Sequence, residues 1–382
     1  MTEHLPPQLN NPVFRSPRVL AFGTYNVRKH PRVGILIDGL RANGCIVDQI
    51  NHPLQLSTSQ RVDILAKPWK LFGFALSLLR LWRSLYRDAR VWIAHNGKPD
   101  AILVGYMGHF DVLLAHHVFK GVPIILDHLI FAGDTAKDRG AQGIKVRMLN
   151  KLDRMAIDAA TLILLDTREH QSMCAPTDST MVVPVGASSE WYQAGATHNT
   201  SERNGIVFYG LYTPLQGTPI IARAIRELAS RGVKAPITLI GNGQDYTRVR
   251  QILTGCDNAE FLDWVEPEQL PDLVASHAIS LGIFSTTPKG LHVVPNKVYQ
   301  SLAAGCAVIT SGTAPQKRIL GDGVMYTIPG DASSLADAIE QLLRAPALLN
   351  HYAEQGANTA RCYTAQAVTA HLSRWIHEQL QP

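Results

Sequence analysis

Six short apolar runs punctuate the first half of the chain: RVLAFGTY (18–25), CIVDQI (45–50), DAILVGY (100–106), PIILDHL (123–129), TLILLD (161–166) and MVVPVG (181–186). Helical segments lie between them. Runs this short, spaced in this way, are what a parallel sheet buried on both faces requires. After the polar, small-residue stretch SSEWYQAGATHNTSERNG (188–205) the pattern restarts with GIVFYG, PITLIG, EFLDWV, ISLGIF, AVITSG and VMYTIP. The spacing predicts α/β architecture: a loose tail over 1–16, a doubly wound unit over 17–188, a linker over 189–204 and a second doubly wound unit over 205–364. The stretch 365–382 is expected to hold an amphipathic helix packing back towards the first unit. Such sheets place ligands beyond the C-terminal ends of their strands, so the cleft between the units is the expected site.

A chain of 382 residues has the material for two such units. Its 46% hydrophobic and 18% charged residues are those of a globular, soluble protein. Cys45, Cys174, Cys256, Cys306 and Cys362 stand apart with no Cys-x-x-Cys pair, which disfavours a disulfide framework or zinc site and fits a reducing cytoplasm. The opening MTEHLPPQLNNP has an early acid, prolines and no apolar core, so a secretory signal is not expected. Residues 1–188 carry a net charge of roughly +7 and the remainder roughly −2, for +5 overall. A basic half points to an anionic substrate, a membrane surface or nucleic acid. Without helix-turn-helix, zinc-finger or aromatic ribonucleoprotein patterns, no nucleic-acid partner is expected.

KPWKLFGFALSLLRLWRSLYRDARVW (67–92) breaks the α/β rhythm. Its apolar core, 71–79, falls well short of the ~20 residues a bilayer span needs. It reads in two ways: a core helix with snorkelling Arg ends, or an interfacial helix resting on anionic lipid. Trp69, Phe72, Phe74, Trp82 and Tyr86 suit either.

Candidate chemistry gathers at a few turns. FYGLYTPLQGTPIIARAI places Gly210 and Gly217 between a strand and a helix, where backbone N–H groups and the helix dipole converge on an anion; a tight turn needs them equally. LIGNGQD (239–245) lacks the third glycine of the dinucleotide fingerprint, so a nicotinamide cofactor is disfavoured. LGIFSTTPKGLHVVPNKVYQSLAAG (281–305) delivers Lys289, Gly290 and several amides just before a helix that Pro295 is placed to open, a diphosphate-binding arrangement. Lys297 falls in the first turn, where a cation costs about 0.3–1 kcal/mol unless an anion is near. Gln300 shares a face with Asn296. A solvated first turn on a buried helix is the alternative. In the first unit His109, Asp127 and His128 follow strand ends, where cleft residues belong. His109 suits a turn or cap equally, and Asp134 and Asp138 read as caps or as acceptor contacts. No glycosidase-like carboxylate pair and no Gly-x-Ser-x-Gly elbow is present.

FYG…QG, LIGNGQ, VVPVGASSEWY and above all PNKVYQSLAAGCAVIT, with GTYNVRKHPR, ILDHLIFAGDTAKDRG and LLDTREH, resemble the GT-B glycosyltransferases of the family 4 type, in a bacterial branch. The resemblance covers nearly the whole chain. It implies two Rossmann-like doubly wound domains facing a cleft. It also implies transfer of a sugar, with retention, from a nucleotide-diphosphate donor to a glycan, lipid-linked or small-molecule acceptor, with no metal and no cofactor. The donor would bind mostly to the second domain. Lys289, the amides of Gly290 and Leu291, and Lys297 would meet the diphosphate. Trp264 and Val265 would flank the nucleobase, and Gln300 would reach the ribose. Gly23 and Thr24 would lie against the phosphates. Asp127 and His128 would face the transferred sugar and acceptor, with His109 as a third catalytic candidate. The setting would be cytoplasmic, with peripheral contact on the inner face of the cell membrane through 67–92.

Two departures stand against this pattern. The family's two glutamates, eight positions apart, are here His292 and Gln300, and its Arg and Lys after the restart strand are Leu211 and Gln216. Lys289, Lys297 and Arg318 are the nearest replacement cations. Otherwise the protein is a catalytically silent partner or scaffold of another transferase. An epimerase of this fold would need cleft carboxylates, which these substitutions remove.

Overall fold

Alternate residues of a strand point to opposite faces of its sheet, and in this protein both faces of each sheet are apolar. The computed structural model describes residues 15–28, 30–54, 68–138, 140–199 and 202–380. Strands β1 (Arg18–Gly23), β2 (Ile46–Asn51), β3 (Ala101–Val104), β4 (Ile124–Asp127), β5 (Leu162–Leu165) and β6 (Thr180–Val182) form a parallel sheet in the order β2-β1-β3-β4-β5-β6. Val19, Ala21 and Leu103 pack on one side with Val33 and Leu36 of the helix Arg32–Ala42. Leu20, Phe22 and Ile102 pack on the other with Leu85, Val112 and Ala115, from the helices Pro68–Asn96 and Asp111–Val118.

The second sheet repeats the scheme. Strands β7 (Ile206–Tyr209), β8 (Ile237–Ile240), β9 (Ala259–Leu262), β10 (Ile279–Leu281), β11 (Ala307–Ser311) and β12 (Met325–Thr327) run parallel in the order β12-β11-β10-β7-β8-β9. Phe208 and Leu239 face the helices Thr218–Ser230 and Ala332–Arg344, while Val207 and Tyr209 face the helix Asn296–Ala303. The expected class, two doubly wound α/β domains, is the observed one. Strand order reverses between β1 and β3 and again between β7 and β10, and ligands of such sheets lie beyond the strand ends at these points.

The expected linker, 189–204, carries a docked helix. Ser189–Thr197 is a helix whose Trp191 stacks on Tyr209, ring centroids 5.7 Å apart. The Arg203 guanidinium donates to the carbonyls of Gly195, His198 and Gly305. Its polar composition conceals one apolar edge, Trp191 and Ala194 at i and i+3, which is enough to dock it. The helix Ala365–Glu378 leaves the second sheet and lies on Arg32–Ala42, so closely that a side chain at Gly39 would strike the Ala365 carbonyl. Most of the expected tail (residues 1–14) and Lys67 lie outside the described residues.

Candidate functional site

The turn after β7 lies against a buried lysine. Gly210 has φ +142°, and a Cβ there would meet Lys297 Nζ at 2.9 Å. Lys297 does not occupy a solvated first turn. Its side chain is buried, its Nζ lies 3.8 Å from the centroid of the Phe208 ring, and that nitrogen has no hydrogen-bond partner. Burial holds the amine well below the usual lysine range. Beside it Gln216 Oε1 is also buried and unpartnered, as is Thr218 Oγ1 at the start of the next helix. Leaving a buried polar atom unpaired costs about 1–3 kcal/mol. Two such atoms close to Gly210, with a third at the start of the following helix, mark a place where a bound ligand would complete the hydrogen bonding.

Lys289 sits on the short helix Pro288–His292, and its Nζ donates to Thr135 Oγ1 of the first domain at 2.8 Å, across the cleft. The amides of Gly290 and Leu291 are not free to cradle phosphate: they donate to the hydroxyl and carbonyl of Thr287, at 3.2 and 3.0 Å. Thr287 is a helix N-cap, and capping consumes those donors. Arg318 is likewise spent, paired with Glu169 of the first domain. Trp264 is 69% exposed on the loop after β9, its indole N–H bonded to Glu266, whereas Val265 packs against the core. Gln300 is half-buried on the helix Asn296–Ala303.

In the first domain the expectation for Gly23 and Thr24 is corrected. The backbone N–H and hydroxyl of Thr24 both donate to Asp111 Oδ2, at 2.7 and 2.8 Å, and a Cβ on Gly23 would meet that oxygen at 2.8 Å. A carboxylate already fills the anion position at this strand end. Burial raises the Asp111 pKa.

Asp127 is buried and paired with Arg32, Nε to Oδ1 3.2 Å, and the same guanidinium donates to the carbonyls of Val183 and Pro184. Its Oδ2 has no partner. His109 and His128 form one cluster, ring centroids 4.9 Å apart. His109 Nε2 bonds to Asp153 Oδ1 at 2.9 Å, and Asp153 also accepts the N–H groups of Ala132 and Gly133 at the start of the helix Ala132–Asp138. His128 Nε2 is buried and unpartnered, 3.8 Å from the same Asp153 oxygen. These three side chains have the composition of a metal-ligand set, their ligand atoms within 4.8 Å of one another, but Asp153 Oδ1 already accepts two hydrogen bonds. His170, bonded to Asp166, abuts Phe131, and Thr167 between them donates to the His292 carbonyl across the cleft at 2.9 Å.

The structure thus gathers Asp127, His128 and His109 at neighbouring strand ends of the first domain, and Lys289 bridges to that domain. Arg32, Asp111 and Asp153 were not singled out from the sequence. Asp153 carried a signal, because it interrupts the buried stripe Val146, Ala156 and Ile157 of its helix. An open depression of about 680 Å³ bordered by Arg223, Glu227, Thr286 and Asp331 contains none of these groups.

His128 makes stability pH-dependent. Burial, with His109 beside it, pushes its pKa from 6.5 down to about 3. Between those values the unfolded chain holds a proton that the folded protein does not, so stability falls as pH drops from 6.5 towards 3. Urea unfolding across that range is expected to show a shallower decline for His128→Gln than for the wild type; parallel declines would count against it.

Residues 203–345 match the family model described as Glycosyl transferases group 1. This segment is similar to group 1 glycosyl transferase domains. The Gly210 turn, the exposed Trp264, Lys289 and Lys297 all fall within the matched segment. A 173-residue stretch is 36% identical to phosphatidyl-myo-inositol mannosyltransferase of Mycobacterium leprae. That match covers 44% of this chain and 45% of the relative, so the chain spans less than half the length of the curated relative it matches. Sucrose-phosphate synthase from Thermosynechococcus elongatus is similar over 96% of this chain and 99% of its own, with TM-score 0.67 and 14% identity. HepE from Anabaena, in complex with UDP-glucose, is similar over 95% of this chain and 99% of its own, with TM-score 0.63 and 14% identity. At these identities the likeness is one of fold, and the fold is GT-B.

Proposed function

We propose that the protein is a bacterial, cytoplasmic glycosyltransferase of the family 4 type. It moves a sugar, with retention and without a metal, from a nucleotide-diphosphate donor to a glycan, lipid-linked or small-molecule acceptor. The observation that carries this reading is Lys297: a buried, unpartnered amine at the strand-order reversal of the segment that matches the group 1 model, where a diphosphate would supply the missing charge. The relatives in complex with UDP and UDP-glucose support a nucleotide-sugar donor. On this reading Lys289 holds the donor from the cleft side, Trp264 and Val265 flank the base, and Gln300 reaches the ribose. His128 faces the transferred sugar, positioned by the His109–Asp153 pair, while Asp127 acts through its ion pair with Arg32. Incubating the full chain with a panel of UDP-, GDP- and ADP-sugars is expected to give slow donor hydrolysis with one of them.

The absent glutamates, replaced by His292 and Gln300, favour a second reading: a catalytically silent GT-B protein that acts as partner or scaffold of another transferase. Nucleotide binding without turnover, across the panel and with acceptors added, would select it.

A peripheral membrane contact belongs to the same proposal. No described helix is long and apolar enough to cross a membrane. The helix Pro68–Asn96 buries Leu78, Leu85 and Ala89 against the first sheet, yet leaves Phe72, Leu76, Leu79 and Tyr86 exposed among Arg80, Arg83, Arg87 and Arg90. Apolar side chains flanked by arginine suit an anionic lipid surface. Co-flotation with anionic vesicles is expected to be lost when those four arginines become glutamine; unchanged flotation would end the idea.

A further inference from the structure

We propose that Lys297 is an uncharged amine in the empty protein and takes up a proton as a diphosphate enters the Gly210–Gln216 turn, so that donor binding is proton-coupled. The inference rests on the reading of this turn as the donor site. Its geometry is that of a cation site lacking its anion. Nζ is buried, unpartnered, and held between the Phe208 ring at 3.8 Å and the backbone of Gly210. Among the described residues no ion pair forms to it. The groups recorded against it are Phe208 and Tyr209 from β7 and Gly210 from the turn, while Gln216 Oε1 lies 4.0 Å from where a Cβ on Gly210 would stand. Only Tyr209 of these titrates, and burial holds its phenol far above the usual range; its hydroxyl bonds to the Lys297 carbonyl at 3.0 Å and to Ser301 at 3.1 Å.

Two effects compete at Nζ. The Phe208 ring favours the ammonium only modestly. Removing an unpaired ammonium from water costs considerably more. Desolvation wins, in accord with the depressed amine pKa. A diphosphate beside Nζ reverses the balance, because an opposite charge a few ångströms away restores the charged form. The proton comes from solvent, and the product is an ammonium–diphosphate pair.

Titration calorimetry of the full chain with UDP, with GDP and with ADP, at about pH 8 in buffers of different ionisation heat, reads the protons bound per nucleotide. At that pH carboxylates, imidazoles and nucleotide phosphates are already deprotonated. About one proton taken up per nucleotide is expected, with affinity weakening up to about tenfold per further pH unit. In Lys297→Arg the guanidinium stays charged, and uptake should vanish. Carbon-13 shifts of the lysine ε-carbons give a reading that needs no variant: one lysine should show a neutral-amine shift without nucleotide and an ammonium shift with it. Binding without proton uptake, or undiminished uptake in the arginine variant, overturns the inference and leaves the donor site standing. Failure of UDP, GDP and ADP alike to bind at millimolar concentration overturns the donor-site reading and the inference with it.

Discussion

Replacing Lys297 by methionine is expected to lower donor turnover about a hundred- to a thousand-fold while leaving the empty protein at least as stable as the wild type. The two effects share one cause. Removing a single preorganised group that stabilises developing negative charge costs about two to three orders of magnitude in rate. Here Lys297 is the cation at the turn itself, since Leu211 and Gln216 stand in that turn, Arg318 is committed to Glu169, and Lys289 reaches the donor only from the cleft side. In the empty protein the same amine is a buried polar atom without a partner. Methionine is unbranched and adaptable, fits the same path beneath Gly210, and removes that penalty. Single-turnover donor hydrolysis and ligand-free thermal melting test both halves. Turnover within a few-fold of wild type would place the diphosphate elsewhere, and a clear loss of melting temperature would show that the amine is satisfied in solution.

Arg32→Met is expected to cost about 3–5 kcal/mol of stability, the penalty for breaking a buried ion pair from one side. Arg32 and Asp127 are both buried, and the guanidinium also satisfies two carbonyls at 183–184, where the first domain ends. Removing it leaves the Asp127 carboxyl with no cation. Adding Asp127→Leu should recover part of the loss, because an apolar pair of similar volume tolerates burial better than one charge. Urea unfolding of the single and double variants measures this. A loss below about 1 kcal/mol for Arg32→Met would mean that Asp127 is solvated, and would return it to the list of groups open to substrate. Asp127→Asn separates the roles: a positioning residue loses stability before turnover, whereas a group that touches the sugar loses turnover at full stability.

Much of the architecture was legible in the chain. Short apolar runs separated by helical segments require sheets covered on both faces, and the repeat of that pattern after residue 205 requires two of them. Both constraints are local, carried by residues close in sequence. Strand-end placement of Asp127 and His128 followed from the same pattern.

What the pattern could not carry was the pairing of polar groups, because pairing is decided between distant segments. Thr24 looked like a phosphate contact until Asp111, 87 residues away, was found holding both of its donors. Asp127 looked open to a cleft until Arg32, 95 residues away, closed on it. Gly290 looked like a source of free amides, yet its N–H was consumed three residues upstream, a cap that only the helix geometry reveals. Lys297 is the sharpest case. Its position in a helix first turn suggested a nearby anion or, as the alternative, a solvated turn, but the helix docks that turn beneath β7 and buries the amine without a partner. Sequence determined the sheets, since hydrophobic burial is a property of the local pattern. The tertiary structure alone decided which charges remain uncompensated, since the cost of a charge depends on every atom brought around it.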